Sequence, residues 1–153
     1  MNAVNTPVYE DRPLYDIWLK LILGGVLALT FILGVILIAE NIGAALTMFG
    51  VTLFDALLFK AVLPQRFQVF EDRLKIVLGL TFAINIPFSN IVDARSASSI
   101  KAFAYWGIRF ATSTRYVAEI VRKKGLNLVI SPSEGDIFLE QLNQARKALS
   151  KLS

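Results

Sequence analysis

The chain has 153 residues, enough for one domain, and 55% of them are apolar, with a mean hydropathy of +0.57. Only 18% are charged, against about 25% in an ordinary soluble domain, so we expect part of the chain to lie in lipid. The absence of cysteine and histidine excludes disulfides, thiolate nucleophiles and imidazole bases, and leaves a zinc site without its usual ligands.

The charges divide unevenly along the chain. Residues 1–63 carry three lysines and arginines against five acids, whereas residues 64–153 carry thirteen against seven. An excess of positive charge in one half is typical of contact with nucleic acid or an anionic membrane surface, or of no specific partner at all. The position of the apolar segments decides between these interpretations.

Two long apolar runs follow one another near the N-terminus, at residues 17–39 and 42–63. The first would be about 34 Å long as a helix, which crosses a bilayer with some tilt. Because only Glu40 and Asn41 separate the runs, we predict an antiparallel transmembrane hairpin over residues 17–63. A hairpin buried in a soluble core is one alternative. A cleaved signal peptide is another, and the length of the first run and the acidic segment before it argue against it.

Lysines and arginines predict the orientation of this hairpin. None lies in the connecting turn, whereas several flank the outer ends, so the positive-inside rule puts both termini in the cytoplasm. We therefore expect a multi-pass protein of the cell inner membrane, with residues 1–16 as an N-terminal cytoplasmic segment and residues 64–153 as a cytoplasmic domain. The flanking residues are Lys20, Lys60, Arg66, Arg73 and Lys75.

Asp55 is the one acid inside the second apolar run. A carboxylate within a membrane suggests a function by default, such as an ion relay or a link to a partner helix. We favour the alternative that the hydrocarbon ends near Leu58, which leaves Asp55 just beneath the headgroups and within reach of Lys20 or Lys60.

After Pro64 the pattern changes to short alternating runs bounded by turns, which is typical of β-strands. Seven such strands in under seventy residues leave no room for crossover helices, so a parallel sheet is excluded and an antiparallel arrangement is predicted. The predicted strands cover residues 66–70, 74–80, 82–86, 91–96, 109–112, 115–123 and 126–130.

The last predicted element is an α-helix with a distinct N-terminal signal. Ser131 stands three residues before Glu134, as in a capping box, and Pro132 would occupy the first helical position. An apolar stripe follows at spacings of three and four residues, so we expect this helix to cover an open end or face of the sheet. The stripe consists of Phe138, Leu142, Ala145, Leu149 and Leu152.

The order of these motifs resembles the bacterial PH-like (pleckstrin-homology-like) domain family over about residues 65–150. The segments that carry the resemblance are "IPFSNIVDARSAS", "YWGIR" and "LNLVISPSEGDIFLEQL". Members of this family frequently carry an N-terminal two-helix membrane hairpin. The resemblance therefore implies an α+β membrane protein, in which the hairpin precedes a PH-like antiparallel β-sandwich or barrel of about seven strands capped by one C-terminal α-helix. The matching positions are Ile86, Pro87, Ile91, Gly107, Ile108, Arg109, Ser131, Pro132, Phe138 and Leu142.

Two groups of residues are candidate contact surfaces. One is an aromatic segment beside cations, which suits a membrane interface or a protein partner, although its rings could instead fill the core of the barrel. The other is a basic hairpin tip, which either binds a lipid headgroup or, as we favour, is simply solvated. The first group comprises Ile100, Lys101, Phe103, Tyr105, Trp106 and Arg109, and the second comprises Arg122, Lys123 and Lys124.

The preferred functional hypothesis is a non-enzymatic, membrane-anchored PH-like scaffold, an accessory or assembly subunit that docks onto a larger membrane protein complex or onto copies of itself. The alternative is a peripheral sensor of the membrane surface, whose binding through the basic, aromatic face would weaken with salt. A third hypothesis, an enzyme or small transporter relying on Asp55, is disfavoured because histidine, cysteine and paired acids are lacking. Besides the bilayer and other membrane subunits we expect no nucleic acid, since no basic recognition helix is present, and no small-molecule substrate or cofactor.

Overall fold

A computed structural model describes residues 6–102 and 104–151. This part of the chain forms two long helices, two four-stranded β-sheets and a C-terminal helix. The coarse α+β layout predicted from the sequence is confirmed, with the two apolar helices preceding seven of the eight strands.

The two apolar helices agree closely with their predicted positions. α1 spans Ile17–Leu37 and α2 spans Ile42–Val62, and each has 21 residues and is long and apolar enough to cross a membrane. Asn41 caps the start of α2, because its side chain accepts a hydrogen bond from the Ala44 amide at 3.1 Å.

Small and polar side chains join α1 to α2. The Thr52 hydroxyl donates a hydrogen bond to the Thr30 hydroxyl at 2.9 Å. A Cβ atom at Gly34 would lie 2.8 Å from Cε1 of Phe49, so the missing side chain lets the helices approach closely. The Phe49 ring also packs on Phe31, with 5.5 Å between the ring centroids.

The first sheet has the strand order β1-β2-β3-β4 and is antiparallel throughout. Its strands are β1 (Tyr9–Asp11), β2 (Pro64–Val69), β3 (Arg73–Leu78) and β4 (Ala83–Pro87). The sequence did not predict β1, because three residues are too few to show an alternating pattern. Pairing with β2, more than fifty residues later, makes this segment a strand.

The second sheet is mixed. It contains β5 (Ile91–Ser96), β6 (Ile108–Phe110), β7 (Ala118–Arg122) and β8 (Leu128–Ile130), in the order β5-β7-β8-β6. β6 and β8 pair in parallel, so the prediction of an entirely antiparallel arrangement is wrong for this pair. Residues 111–127 connect β6 to β8 and include β7. They form the long crossover connection that a parallel pair of strands needs, and this crossover contains no helix.

The C-terminal helix α3 (Gly135–Ser150) begins later than predicted. Glu134 is its N-cap residue and its side chain makes no capping hydrogen bond. The Ser131 hydroxyl donates instead to the Ser113 carbonyl at 2.8 Å. The predicted capping box is therefore wrong, because Asp11 from β1 reaches across to accept the Glu134 amide at 2.9 Å.

The core lies between the two sheets and is closed by α3. Phe138 and Leu142 of α3 are fully buried, and the Phe138 ring packs on Phe67 with 6.1 Å between the centroids. The helix therefore covers the sheets through its predicted apolar stripe, of which Leu152 lies outside the described residues. The fully buried side chains of the sheets include Phe67, Leu74, Ile76, Ile86, Ile120, Leu128 and Ile130.

Both apolar helices leave the sheets at the same end, which we call the helix end. There the Gly79 amide donates to the Leu63 carbonyl at 3.1 Å, so the turn at residues 79–82 packs against the C-terminus of α2. Tyr15, just before α1, donates its hydroxyl to the Pro64 carbonyl. The start of α1 and the end of α2 therefore lie side by side at the sheets.

The opposite end of the sheets, the far end, comprises residues 87–90 and 123–127. β4 runs from the helix end to Pro87, about 17 Å for a five-residue strand. There the Asn90 side chain accepts the Lys124 amide at 2.8 Å and donates to the Lys124 carbonyl at 3.2 Å. The tip of the β7–β8 hairpin is thus fixed at the end remote from the helices.

Candidate functional site

The aromatic segment packs through Ala102 and Tyr105 on the outer face of the second sheet, away from the main core. Tyr105 is half-buried there, on a small apolar cluster of its own. Trp106 is 97% exposed and Ile100 is 71% exposed, so neither fills the core. The candidate residue Phe103 lies outside the described residues. The buried members of the small cluster are Ala102, Val117 and Val129.

Glu119 on β7 fixes this segment from beneath. Its carboxylate is buried and accepts hydrogen bonds from Lys101 Nζ at 2.8 Å, from the Tyr105 hydroxyl at 2.9 Å and from Arg95 Nε at 3.1 Å. Burial opposes ionisation, but these hydrogen bonds outweigh it and lower the pKa of Glu119. Burial, together with the bond to Glu119, raises the pKa of Tyr105 to about 12. At neutral pH the cluster therefore acts as a structural brace, because Glu119 stays ionised and Tyr105 stays protonated.

Trp106 lies beside the tip of the β7–β8 hairpin. The next residue, Gly107, packs on the backbone of Asn127, whose carbonyl oxygen would be 2.5 Å from a Cβ atom at Gly107. Leu126, at the tip, is 56% exposed. Exposed aromatic, apolar and cationic side chains thus lie at the same end of the second sheet, and we call them together the far-end surface. It consists of Trp106, Lys123, Lys124 and Leu126.

The two candidate arginines differ from these lysines. Arg122 is half-buried, and its guanidinium lies under the turn at Gly125, where φ is +87°. Its Nε is buried and finds no hydrogen-bond partner in the described chain. Arg109 is exposed on β6. The exposed basic tip is therefore made by Lys123 and Lys124, while Arg122 belongs to the turn.

Asp55 is half-exposed on α2. Within the described ranges it forms no ion pair, either with Lys20 or with Lys60. Its placement beneath the headgroups and its use as a relay both stay predictions.

Sequence reasoning missed the cluster around Asp16, where α1 meets the sheets. Asp16 is 8% exposed, and its carboxylate accepts hydrogen bonds from the Ser113 hydroxyl at 2.6 Å, the Thr114 amide at 2.8 Å, the Thr114 hydroxyl at 3.0 Å and the Trp18 indole at 3.2 Å. Burial opposes ionisation, but these bonds outweigh it and lower the pKa of Asp16 to about 2. An acid directly before an apolar run was the only signal, and it indicates an ordinary helix cap.

The described residues contain no group of three acids, histidines or cysteines that could hold a metal ion. The buried carboxylates of Asp16 and Glu119 are both engaged in structural hydrogen bonds. Compared with protein-family models, with curated proteins and with solved structures, the chain matches none.

Proposed function

We propose that this chain is a non-enzymatic, membrane-anchored scaffold, with α1 and α2 spanning the membrane and a PH-like module that docks a protein partner at the cytoplasmic face. The exposure of the helices carries the proposal. Ten large apolar side chains of α1 and eight of α2 are exposed, whereas only Gly34 and Ala45 are buried. A soluble monomer rarely exposes an apolar patch above about 600 Å², so a helix pair that is apolar on all sides suits lipid and not water.

The order of elements supports the PH-like part of the proposal. Seven strands in two packed sheets follow the helices, and one C-terminal helix closes the core between them. The parallel pairing of β6 with β8 departs from the antiparallel arrangement that the family resemblance implies. Because a fold does not fix a function, the docking role has to rest on the surface of the module.

The far-end surface favours a protein partner over lipid. A fully exposed tryptophan beside an apolar side chain is the kind of anchor that is enriched at protein interfaces, and the adjacent lysines suit an acidic partner. This surface lies about 17 Å, the length of a five-residue strand, from the point where the helices leave the sheets. With the helices in a bilayer it faces away from the lipid, which disfavours the alternative of a lipid sensor that uses the same residues.

Cysteine labelling tests the membrane part, because the natural chain has no cysteine. In intact spheroplasts, Glu40→Cys in the turn between the helices should react with a membrane-impermeant maleimide. Lys124→Cys at the far end should react only after lysis. Labelling of both positions from the same side, or release of the intact chain by alkaline carbonate, would contradict the proposed topology.

Purification of the tagged full chain in mild detergent from its native membranes tests docking. Trp106→Ser should lose a co-purifying chain that the wild type and Phe82→Ser both retain. The two substitutions each remove an exposed ring, but Phe82, which is 58% exposed, lies at the helix end. Recovery of the monomer alone, or equal recovery of the partner with Trp106→Ser, would rule out docking through the far-end surface.

A further inference from the structure

A groove lies at the helix end, between the C-terminus of α2 and the outer face of the first sheet. It encloses about 440 Å³ and runs from the last turn of α2 along β2 and β3. None of the described residues that line it is acidic. Its polar and charged lining consists of Lys60, Gln65, Arg66, Gln68 and Lys75.

Two of the three cations in this groove form no ion pair with any described residue. Arg66 forms an ion pair with Glu10 at 3.3 Å. Lys60 and Lys75 form none with any residue in the described ranges. Two uncompensated ammonium groups that share one groove attract an anion, and most strongly where anionic lipids concentrate negative potential at a membrane surface.

The turn beside the groove adds two apolar side chains. Leu80 is 54% exposed and Phe82 is 58% exposed. A Cβ atom at Gly79 would lie 1.3 Å from the Lys60 carbonyl oxygen, so the turn lies directly against the last turn of α2. Leu80 adopts a φ of +59°, which a branched side chain rarely does. Because the turn contacts the last turn of α2 through Gly79, Leu80 and Phe82 lie near the level where α2 ends.

We propose that this groove binds the phosphate of an anionic phospholipid from the leaflet in which α2 ends, with Lys60 and Lys75 on the phosphate and Leu80 and Phe82 among the upper acyl chains. The groove begins at the last turn of α2, where a spanning helix leaves the hydrocarbon. The nearest anion at that level is a lipid headgroup, which is why we assign a phospholipid as the occupant. This inference rests on the proposed insertion of α2, and it assigns lipid contact to residues other than the far-end surface.

Native mass spectrometry of the delipidated full chain in detergent tests the charged part of the site. The probes are dioleoylphosphatidylglycerol, dioleoylphosphatidylcholine and inorganic phosphate. We expect the phosphatidylglycerol affinity to fall about tenfold or more in the double variant Lys60→Gln/Lys75→Gln. The variant Lys123→Gln/Lys124→Gln, which removes the same charge at the far end, should bind as the wild type does.

Two results would overturn the proposed binding of a lipid phosphate by Lys60 and Lys75. One is equal affinity of the Lys60→Gln/Lys75→Gln variant and the wild type for phosphatidylglycerol. The other is competition by inorganic phosphate as strong as that of the lipid, which would identify the ligand as a free phosphate. Preference for phosphatidylglycerol over phosphatidylcholine that disappears in the groove variant alone supports the proposal.

Single cysteines labelled with a polarity-sensitive NBD dye test the depth of the turn. Phe82→Cys and Leu126→Cys replace side chains of similar exposure, 58% and 56%, at opposite ends of the sheets. In liposomes of phosphatidylcholine and phosphatidylglycerol, the dye at position 82 should emit at shorter wavelength and be quenched by nitroxide lipids, unlike the dye at position 126.

Water-like emission at both dye positions would refute the lipid contact. If Glu40→Cys still labels from outside in that case, the inference fails while the proposed function stands. If the labelling of Glu40→Cys contradicts the proposed topology, both the lipid site and the proposed function fail. The two failures are therefore distinguishable.

Discussion

Replacing Asp16 by asparagine is expected to loosen the junction between α1 and the sheets. The substitution keeps the size of the side chain but removes its negative charge. It also replaces one carboxylate oxygen, which accepts hydrogen bonds, by an amide NH₂ group that would face the donors of Ser113, Thr114 and Trp18. The pKa of Asp16, lowered from 3.8 to about 2, corresponds to about 2 kcal/mol of folding stability at neutral pH. The loss of one charged hydrogen bond, worth about 1.5–3 kcal/mol, gives a similar figure.

The pH dependence of this loss follows from the direction of the shift. A carboxyl whose pKa is lower in the folded chain contributes its full stability above its unfolded pKa, near 3.8, and loses it as the pH falls towards about 2. Asp16→Asn lacks this contribution at every pH. The stability difference between wild type and variant should therefore be constant above about pH 5 and shrink between pH 4 and pH 2.

Thermal unfolding of the full chain in detergent, followed by near-ultraviolet circular dichroism, measures the effect. For a sheet domain of this size, about 2 kcal/mol corresponds to a fall in Tm of about 10 °C. Asp72→Asn is the control, because Asp72 pairs with Arg73 at the surface at 3.2 Å and should change stability by less than about 0.5 kcal/mol. An unchanged Tm for Asp16→Asn at neutral pH, or an equal deficit at pH 7 and pH 2.5, would refute the reasoning.

Three further substitutions probe other contacts. Glu119→Gln should cost about 1–3 kcal/mol and speed tryptic cleavage after Lys101, because the aromatic segment loses its buried acceptor; an unchanged digestion rate would contradict this role. Gly79→Ala should lower the stability by about 1–3 kcal/mol, because the added Cβ would collide with the end of α2. Gly50→Ala should be nearly neutral, because nothing lies within 4 Å of its added Cβ, and equal Tm values for the two variants would disprove the close approach at Gly79. Thr52→Val should cost about 0.6 kcal/mol of helix-hairpin stability in a titration with sodium dodecyl sulfate, and no change would show that its hydrogen bond between the helices adds nothing.

Elements with strong local patterns were predicted well from the sequence. The two apolar helices end within two residues of their predicted limits, because long apolar runs and a two-residue polar break are local features. β5 has the predicted bounds, residues 91–96, since alternation and turn residues delimit it. The apolar stripe of α3 likewise identified the buried face of that helix.

Contacts between distant segments account for the errors. β1 is a strand because it pairs with β2, and the start of α3 is set by Asp11, which lies 123 residues before Glu134. The parallel alignment of β6 with β8 likewise depends on where β7 inserts. At the candidate surfaces, the sequence named Trp106 but left open whether its ring is exposed or fills the core. It missed Glu119, since an acid within an alternating strand looks like an ordinary solvent-facing residue.

Residues 9–16 make the helical hairpin an insertion within the sheet domain and not a leader attached to its front. β1 edges the first sheet, and Asp11 and Asp16 bind residues that are synthesised about a hundred positions later. The segment before α1 can therefore complete these contacts only after both helices and the last third of the chain have been synthesised. Expression of residues 64–153 alone would leave β2 as a bare edge strand and α3 without its distant cap. The sheet domain contacts the hairpin at both of its ends, so a change in the tilt of the helices would act on the sheets at two points.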